Sequence, residues 1–241
     1  MVKAILFDLF ETLITESSIV PTRASSLGPE LGCNAEAFRT EWRAVRHDVT
    51  TGRLSFGQAL RGIGTKLAGH ADEAILQRLS DARRHEKAEL LARVEPQILT
   101  MMKRLRSRGV KLGVISNCFG EDVVGWRECS LAARLDCAVF SFEVGLAKPD
   151  PAMYLEATRR LQVEVGHTWF IGDGGDDELP GAQQAGLRAY KALWFRRRWP
   201  TFREEPCVVT SLVSVDQVSN LVEQANVAVE SPTLPLKPGA E

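Results

Sequence analysis

Four short clusters of reactive side chains stand out along the chain. Phe7-Asp8-Leu9-Phe10-Glu11-Thr12-Leu13 carries a carboxylate, and Val114-Ile115-Ser116-Asn117 carries a hydroxyl beside an amide. Gly145-Leu146-Ala147-Lys148-Pro149-Asp150-Pro151 carries a lysine, and Ile171-Gly172-Asp173-Gly174-Gly175-Asp176-Asp177-Glu178 a run of acids. A carboxylate is a competent nucleophile and can carry a covalent intermediate. Hydroxyl and amide donors suit the oxygens of a bound anion, and a lysine offsets developing negative charge. Clustered carboxylates suit a hard divalent cation. Each cluster taken alone also has a plain structural use. Asp8 can close a strand, Ser116 and Asn117 can serve a turn, and Asp150-Pro151 is a good N-cap and first-turn pair. Acids at 173–178 favour a helix N-terminus through its dipole.

The elements around these clusters decide between the two uses. Residues 2–7 form a short apolar run closed by Asp8, which reads as a buried strand. From Glu16 to about Arg93 no comparable run occurs. That stretch has helical spacings such as Phe38-Trp42-Val45 and Ile75-Leu79, punctuated by glycines, and reads as several short helices. From Pro96 the pattern alternates. A helix with the stripe Ile98-Met102-Leu105 stops at Gly109, and strands are predicted at 111–115, 138–142, 168–171 and 188–193. Helices are predicted at 151–161 and 179–185 between them. This alternation implies parallel strands with helical crossovers, an α/β doubly wound sheet. The expected organisation is a catalytic core of residues 1–15 and 94–225, a helical cap at 16–93 and a flexible tail at 226–241. All four clusters fall at the carboxyl ends of predicted strands, the edge where open parallel sheets bind ligands.

Composition narrows the partners. Lys and Arg number 30 against 31 Asp and Glu, so no global field draws the protein to nucleic acid or an anionic membrane. The run Arg196-Arg197-Arg198 reads as a solvated surface patch. Five scattered cysteines form no zinc or CxxC spacing. No stretch approaches the ~20 apolar residues of a membrane span, and the amino terminus is too short for a signal core. A soluble cytoplasmic protein, monomer or homodimer, with a small-molecule substrate fits these features.

In order, spacing and strand placement, the four clusters resemble the signature motifs of the haloacid dehalogenase-like (HAD) superfamily, over residues 1 to about 195 and including a cap after the first motif. The resemblance implies a hydrolase with a HAD-like Rossmannoid core and Asp8 as nucleophile. Ser116 and Asn117 would donate to phosphoryl oxygens, with Thr12 beside them, and Lys148 would hold Asp8 ionised. Mg²⁺ would be held by Asp8, the carbonyl of Phe10, and Asp173 backed by Asp177 or Glu178.

One position departs from the pattern. Phosphatases of this superfamily carry an aspartate two residues after the nucleophile as general acid and base, and here that position is Phe10. General acid–base help is typically worth about 10²–10⁴-fold. Its loss predicts selectivity for aryl or acyl phosphates, unless another residue supplies the proton, with Asp176, Asp177 and Glu178 the first suspects. Phe10 also admits a metal-free 2-haloacid dehalogenase, with Arg23 or Arg39 of the cap holding a substrate carboxylate. A degenerate scaffold serving as a binding or regulatory module is the third reading. Four acids at 173–178 would repel one another and an anionic substrate without a cation, and this favours a Mg²⁺-dependent phosphohydrolase on a small phosphorylated metabolite.

Overall fold

The computed structural model describes residues 1–17, 24–203 and 207–230. Strands β1 (Ala4–Phe7), β2 (Lys111–Ser116), β3 (Cys137–Phe140), β4 (Thr168–Gly172), β5 (Arg188–Ala192) and β6 (Ser211–Leu212) form one sheet in the order β3-β2-β1-β4-β5-β6. Every pairing is parallel. The apolar runs are buried on both faces, as parallel strands require. Ile5 and Phe7 of β1 pack with Ile98, Met102, Leu105, Val218 and Val222, on helices α5 (Pro96–Arg106) and α9 (Asp216–Glu230). Ala4 and Leu6 face the other way, toward Tyr154 of α7 (Pro151–Leu161) and Leu179 and Ala182 of α8 (Glu178–Gln184).

Between β1 and α5 the described residues form four helices, α1 (Ala24–Glu30), α2 (Ala35–Thr50), α3 (Phe56–Ala68) and α4 (Glu73–Ala92). Their ends are written in the sequence. Asn34 caps α2 by accepting from the amides of Glu36 and Ala37, Ser55 and Gln58 form a capping box on α3, and Asp72 caps α4. Leu27, Phe38, Phe56, Leu60, Leu76 and Leu79 make a separate apolar cluster among them, which Phe119 joins from the loop after β2. Trp42 stacks on Phe38 at 6.2 Å and meets Phe56 and Phe119 edge-on, so it belongs to that packing.

The structure differs from the sequence reading at several edges. The third strand stops at Phe140, and Ser141–Val144 turn into a short helix, α6. The two-residue β6 is too short to leave a periodic signal. Residues 226–230, expected in the tail, continue α9, and the Asn226 side chain accepts a hydrogen bond from the Val2 amide. Residues 231–241 lie outside the described residues.

Two glycines test the packing that positions α8. A helical glycine normally costs about 0.5–1 kcal/mol relative to alanine. At Gly62 in α3 an added Cβ meets nothing within 4 Å, so Gly62→Ala should stabilise by about that amount. At Gly181 in α8 the same Cβ would lie 2.4 Å from the Pro149 carbonyl oxygen, a backbone atom that cannot swing aside. Gly181→Ala should therefore destabilise by about 1–3 kcal/mol, the usual cost of overpacking. Urea titrations of the two variants give opposite signs if this packing is right.

Candidate active site

The chain winds outward from β1 in one direction through β2 and β3, then returns to build β4, β5 and β6 on the other side. The crevice at this reversal lies between the carboxyl ends of β1 and β4. Register aligns Phe7 with Ile171, and the Asp8 amide donates to the Ile171 carbonyl at 2.9 Å. Asp8 and Asp173 therefore leave adjacent strands at the same edge.

Lys148 enters from the loop before α7 and joins two acids. Its ammonium donates to Asp8 Oδ1 and, at 2.5 Å, to Glu178 Oε2, and all three side chains are buried. Glu178 is fixed from its other oxygen as well, where Oε1 accepts from the Gly174 amide at 2.9 Å. The loop reaches this geometry by turning through left-handed backbone at Gly174, Asp176 and Asp177, with φ of 95°, 50° and 52°. Such conformations cost about 1–3 kcal/mol at a non-glycine residue and persist only where surroundings enforce them. Asp176 is enforced by a bidentate ion pair with Arg46 of α2, at 3.2 and 3.1 Å, and by the Asn117 amide at 3.2 Å.

Ligand atoms of Asp8, Asp173 and Glu178 lie within 4.8 Å of one another. Asp173 is otherwise lightly held, by the Gly175 amide at 3.1 Å and the Arg196 guanidinium at 3.6 Å. Burial, opposed by Lys148 and reinforced by Asp173, raises the Asp8 carboxyl to about 6. Burial likewise lifts Glu178 to about 8 against Lys148, with Asp8 and Asp173 adding to it. For Lys148 burial works downward, but the two carboxylates outweigh it and hold the ammonium well above the usual lysine range. Three hard oxygen donors carrying more negative charge than one lysine offsets form a set that fits a divalent cation such as Mg²⁺.

A cavity of about 150 Å³ opens onto this group, lined by Asp8, Phe10, Asn117, Lys148, Asp173 and Glu178 among others. A second, of 280 Å³, shares Phe10 and Asn117 with it and reaches under the inserted helices to Trp42, Phe56, Arg83 and Lys87.

The other sequence candidates fall in different places. Asn117 holds structure in place of an open donor: its amide nitrogen gives to the Lys148 carbonyl at 2.8 Å and to Asp176, and its oxygen accepts from the Lys148 amide at 2.8 Å. Ser116 and Thr12 are buried, their hydroxyls without an oxygen or nitrogen partner. Such orphans cost about 1–3 kcal/mol each until something accepts from them. Asp177 is exposed and lines the outer mouth, so Glu178 and not Asp177 joins Asp8 and Asp173. Arg39 is exposed on α2 and lines none of these cavities. It stands seven residues before Arg46, about 10 Å along the helix axis. Arg23 lies outside the described residues. The triple-arginine run is partly engaged: Arg198 pairs with Glu95 and lies over the Phe195 ring, and Arg196 faces Asp173.

Lys87, Arg83 and Glu16 were not singled out by sequence. The signal existed, because Leu79, Arg83, Lys87 and Leu91 recur at four-residue intervals along α4, which puts both cations on the helix's buried face.

The family model for haloacid dehalogenase-like hydrolases matches residues 2–186. The glyceraldehyde 3-phosphate phosphatase of Methanopyrus kandleri is 27% identical over 198 residues, spanning 78% of this chain and 82% of that protein. Among solved structures, the 2-haloacid dehalogenase of Pseudomonas syringae pv. Tomato DC3000 superposes with a TM-score of 0.63 at 24% identity, covering 93% of this chain and all of that one (100%). A HAD phosphatase from Thermococcus onnurineus gives 0.59 at 20%, covering 91% and 97%. At these identities the two structures speak for the fold alone.

The raised carboxyls carry a signed pH dependence. Both bind protons more tightly in the folded chain than in the unfolded one, where they titrate near 3.8 and 4.5. Their contribution to stability is therefore greatest below about pH 4 and is lost as pH rises toward about 8. In metal-free buffer the melting temperature should fall over this window, and Glu178→Gln should flatten the fall. Parallel wild-type and variant profiles would show that Glu178 is not the group responsible.

Proposed function

The chain belongs to the haloacid dehalogenase-like hydrolases, and from that premise we propose that it is a Mg²⁺-dependent phosphohydrolase acting on a small phosphorylated metabolite through Asp8. The observation that carries this reading is the gathering of Asp8, Asp173 and Glu178 within 4.8 Å around a single lysine. Three carboxylates face Lys148 and, more loosely, Arg196 there, so a further cation would ease the approach of an anionic phosphoryl group. The name of the Methanopyrus kandleri relative, a phosphatase of a three-carbon sugar phosphate, supports the same class of substrate.

In this reading Asp8 attacks phosphorus in line with the departing oxygen. The P–O bond to the leaving group breaks, and an aspartyl-phosphate forms on Asp8. Lys148 holds the carboxylate oriented and charged, and Glu178 holds Lys148. Asn117 fixes the Lys148 backbone from both sides and so acts as a positioning residue. The unpartnered hydroxyls of Ser116 and Thr12 are available to donate to phosphoryl oxygens. Water then attacks the aspartyl-phosphate, which releases inorganic phosphate and restores Asp8. Bound Mg²⁺, held by Asp8, Asp173 and the Phe10 carbonyl with Glu178 behind them, would supply Lewis-acid offset of phosphoryl charge. The inserted helices at 16–93 act as the cap over this chemistry.

Phe10 is the one feature that speaks for a dehalogenase, because halide leaves without a proton. Against it, Arg39 is exposed and lines neither cavity, and Asp173, which neither attacks nor holds Lys148, gains its use from a cation.

Asp8→Asn should reduce p-nitrophenyl phosphate turnover below a few per cent of wild type while circular dichroism stays unchanged. A well-folded variant with substantial activity would remove Asp8 from the nucleophile role. Mg²⁺ should raise the melting temperature, since a ligand present at 100 times its Kd stabilises the folded state by about 2.7 kcal/mol. A flat Mg²⁺ titration together with halide release from 2-chloropropionate would establish the dehalogenase instead.

A further inference from the structure

Position 10 offers no proton, yet an alkoxide leaving group needs one. The acids around the smaller cavity are committed elsewhere, beginning with Glu11, which accepts from the Thr15 hydroxyl, the Glu16 amide and the Trp199 indole. Asp176 is held by Arg46 and Asn117, Glu178 by Lys148 and the Gly174 amide, and Asp177 lines only the outer mouth. The 280 Å³ cavity, which shares Phe10 and Asn117 with the smaller one, is lined among the described residues by five charged side chains, Glu16, Arg46, Arg83, Lys87 and Asp122. Arginine does not release its proton near neutral pH. Asp122 is locked, with Arg83 at 2.6 Å and the Phe119 amide donating to it at 2.9 Å. What is left is the ion pair of Lys87 and Glu16.

This pair is placed on the residue that replaces the missing acid. The Lys87 ammonium sits 4.5 Å from the centroid of the Phe10 ring, and its side chain is only 7% exposed. Glu16 is anchored in turn, its amide donating to Glu11 Oε1 at 2.7 Å. A leucine or methionine at 87 would cover the Phe10 ring without the cost of burying an ammonium. The charge therefore has a use beyond packing.

We propose that Lys87, carried on α4 and held by Glu16 over the ring of Phe10, is the general acid that protonates the leaving group. This rests on the phosphohydrolase reading above. As the P–O bond breaks, its electron pair stays on the departing oxygen, and a proton passes from Lys87 Nζ to that oxygen. Lys87 is left as a neutral amine beside Glu16. Its proton is restored by the water that later cleaves the aspartyl-phosphate: the oxygen joins phosphorus and one hydrogen returns to Nζ. The proton donor is thus supplied by the inserted helices and not by the loop that bears the nucleophile.

The test compares Lys87→Met, Lys87→Arg and wild type, all with Mg²⁺, in single-turnover release of two leaving groups. p-Nitrophenolate leaves without a proton, and ethanol from ethyl phosphate does not. In both variants the ratio of ethyl to p-nitrophenyl rates should fall about 10²-fold or more, the range of general acid catalysis. Added methylamine should partly restore the ethyl phosphate rate of Lys87→Met. Full activity of Lys87→Arg toward ethyl phosphate would reduce Lys87 to a fixed charge and overturn the proposal. An equal loss of both rates, or a fallen melting temperature accounting for both, would make it structural and overturn it too. A wild type inert toward both esters overturns the phosphohydrolase reading itself, and this proposal with it.

Discussion

Two carboxylates and one ammonium share a space almost closed to solvent. Lys148 cannot be buried without Asp8 and Glu178, because an isolated charge in such surroundings costs far more than a domain can spare. The acids in turn exceed what one lysine offsets once Asp173 is counted. Much of the local architecture serves this arrangement. Asn117 grips the Lys148 backbone on both its donor and acceptor sides, and Tyr154 from α7 donates to the Glu178 carbonyl at 2.6 Å. Left-handed turns at Asp176 and Asp177 bring α8 in at the angle that lets Glu178 fold back. The strain is concentrated where charge must be held in place, as at many functional sites.

The fold was legible because its signals are periodic and local. The strands at 111–116 and 168–172 are short apolar runs bounded by turn residues, and Asp150-Pro151 opens α7 as its chemistry requires, with Asp150 accepting from the Ala152 amide. Asp8, Lys148 and Asp173 could be placed at one edge because strand ends in a doubly wound sheet share that edge. Which acid of the run would meet them could not be read in the same way. Asp177 and Glu178 are neighbours in sequence, and only the backbone turn between Gly174 and Glu178 makes one exposed and the other buried. Arg39 is exposed while Arg46, about two turns on, meets Asp176, because spacing along α2 gives the face but not the depth at which that face crosses the site.

Among the described residues, the inserted helices carry charge to the site in ion pairs of different kinds. Arg46–Asp176 is substantially exposed, Arg83–Asp122 is buried against Phe56 and Phe119, and Lys87–Glu16 is buried over Phe10. Exposed pairs are worth about 0–1 kcal/mol, whereas removing one partner of a buried pair typically costs about 3–5 kcal/mol. The α4 side of the insertion is therefore attached by buried charge, whereas on the α2 side the ion pair is one that solvent and salt can dissolve and the lasting contact is Trp42 against Phe119.

Gly172 and Glu178 are coupled more tightly than their six-residue separation suggests. A Cβ on Gly172 would lie 2.1 Å from Glu178 Oε1, so the glycine is the hollow into which the longer carboxylate fits. A methyl group at 172 and the long acid at 178 compete for one hollow, so an alanine there would push the Glu178 carboxylate away from the Gly174 amide and from the ammonium of Lys148.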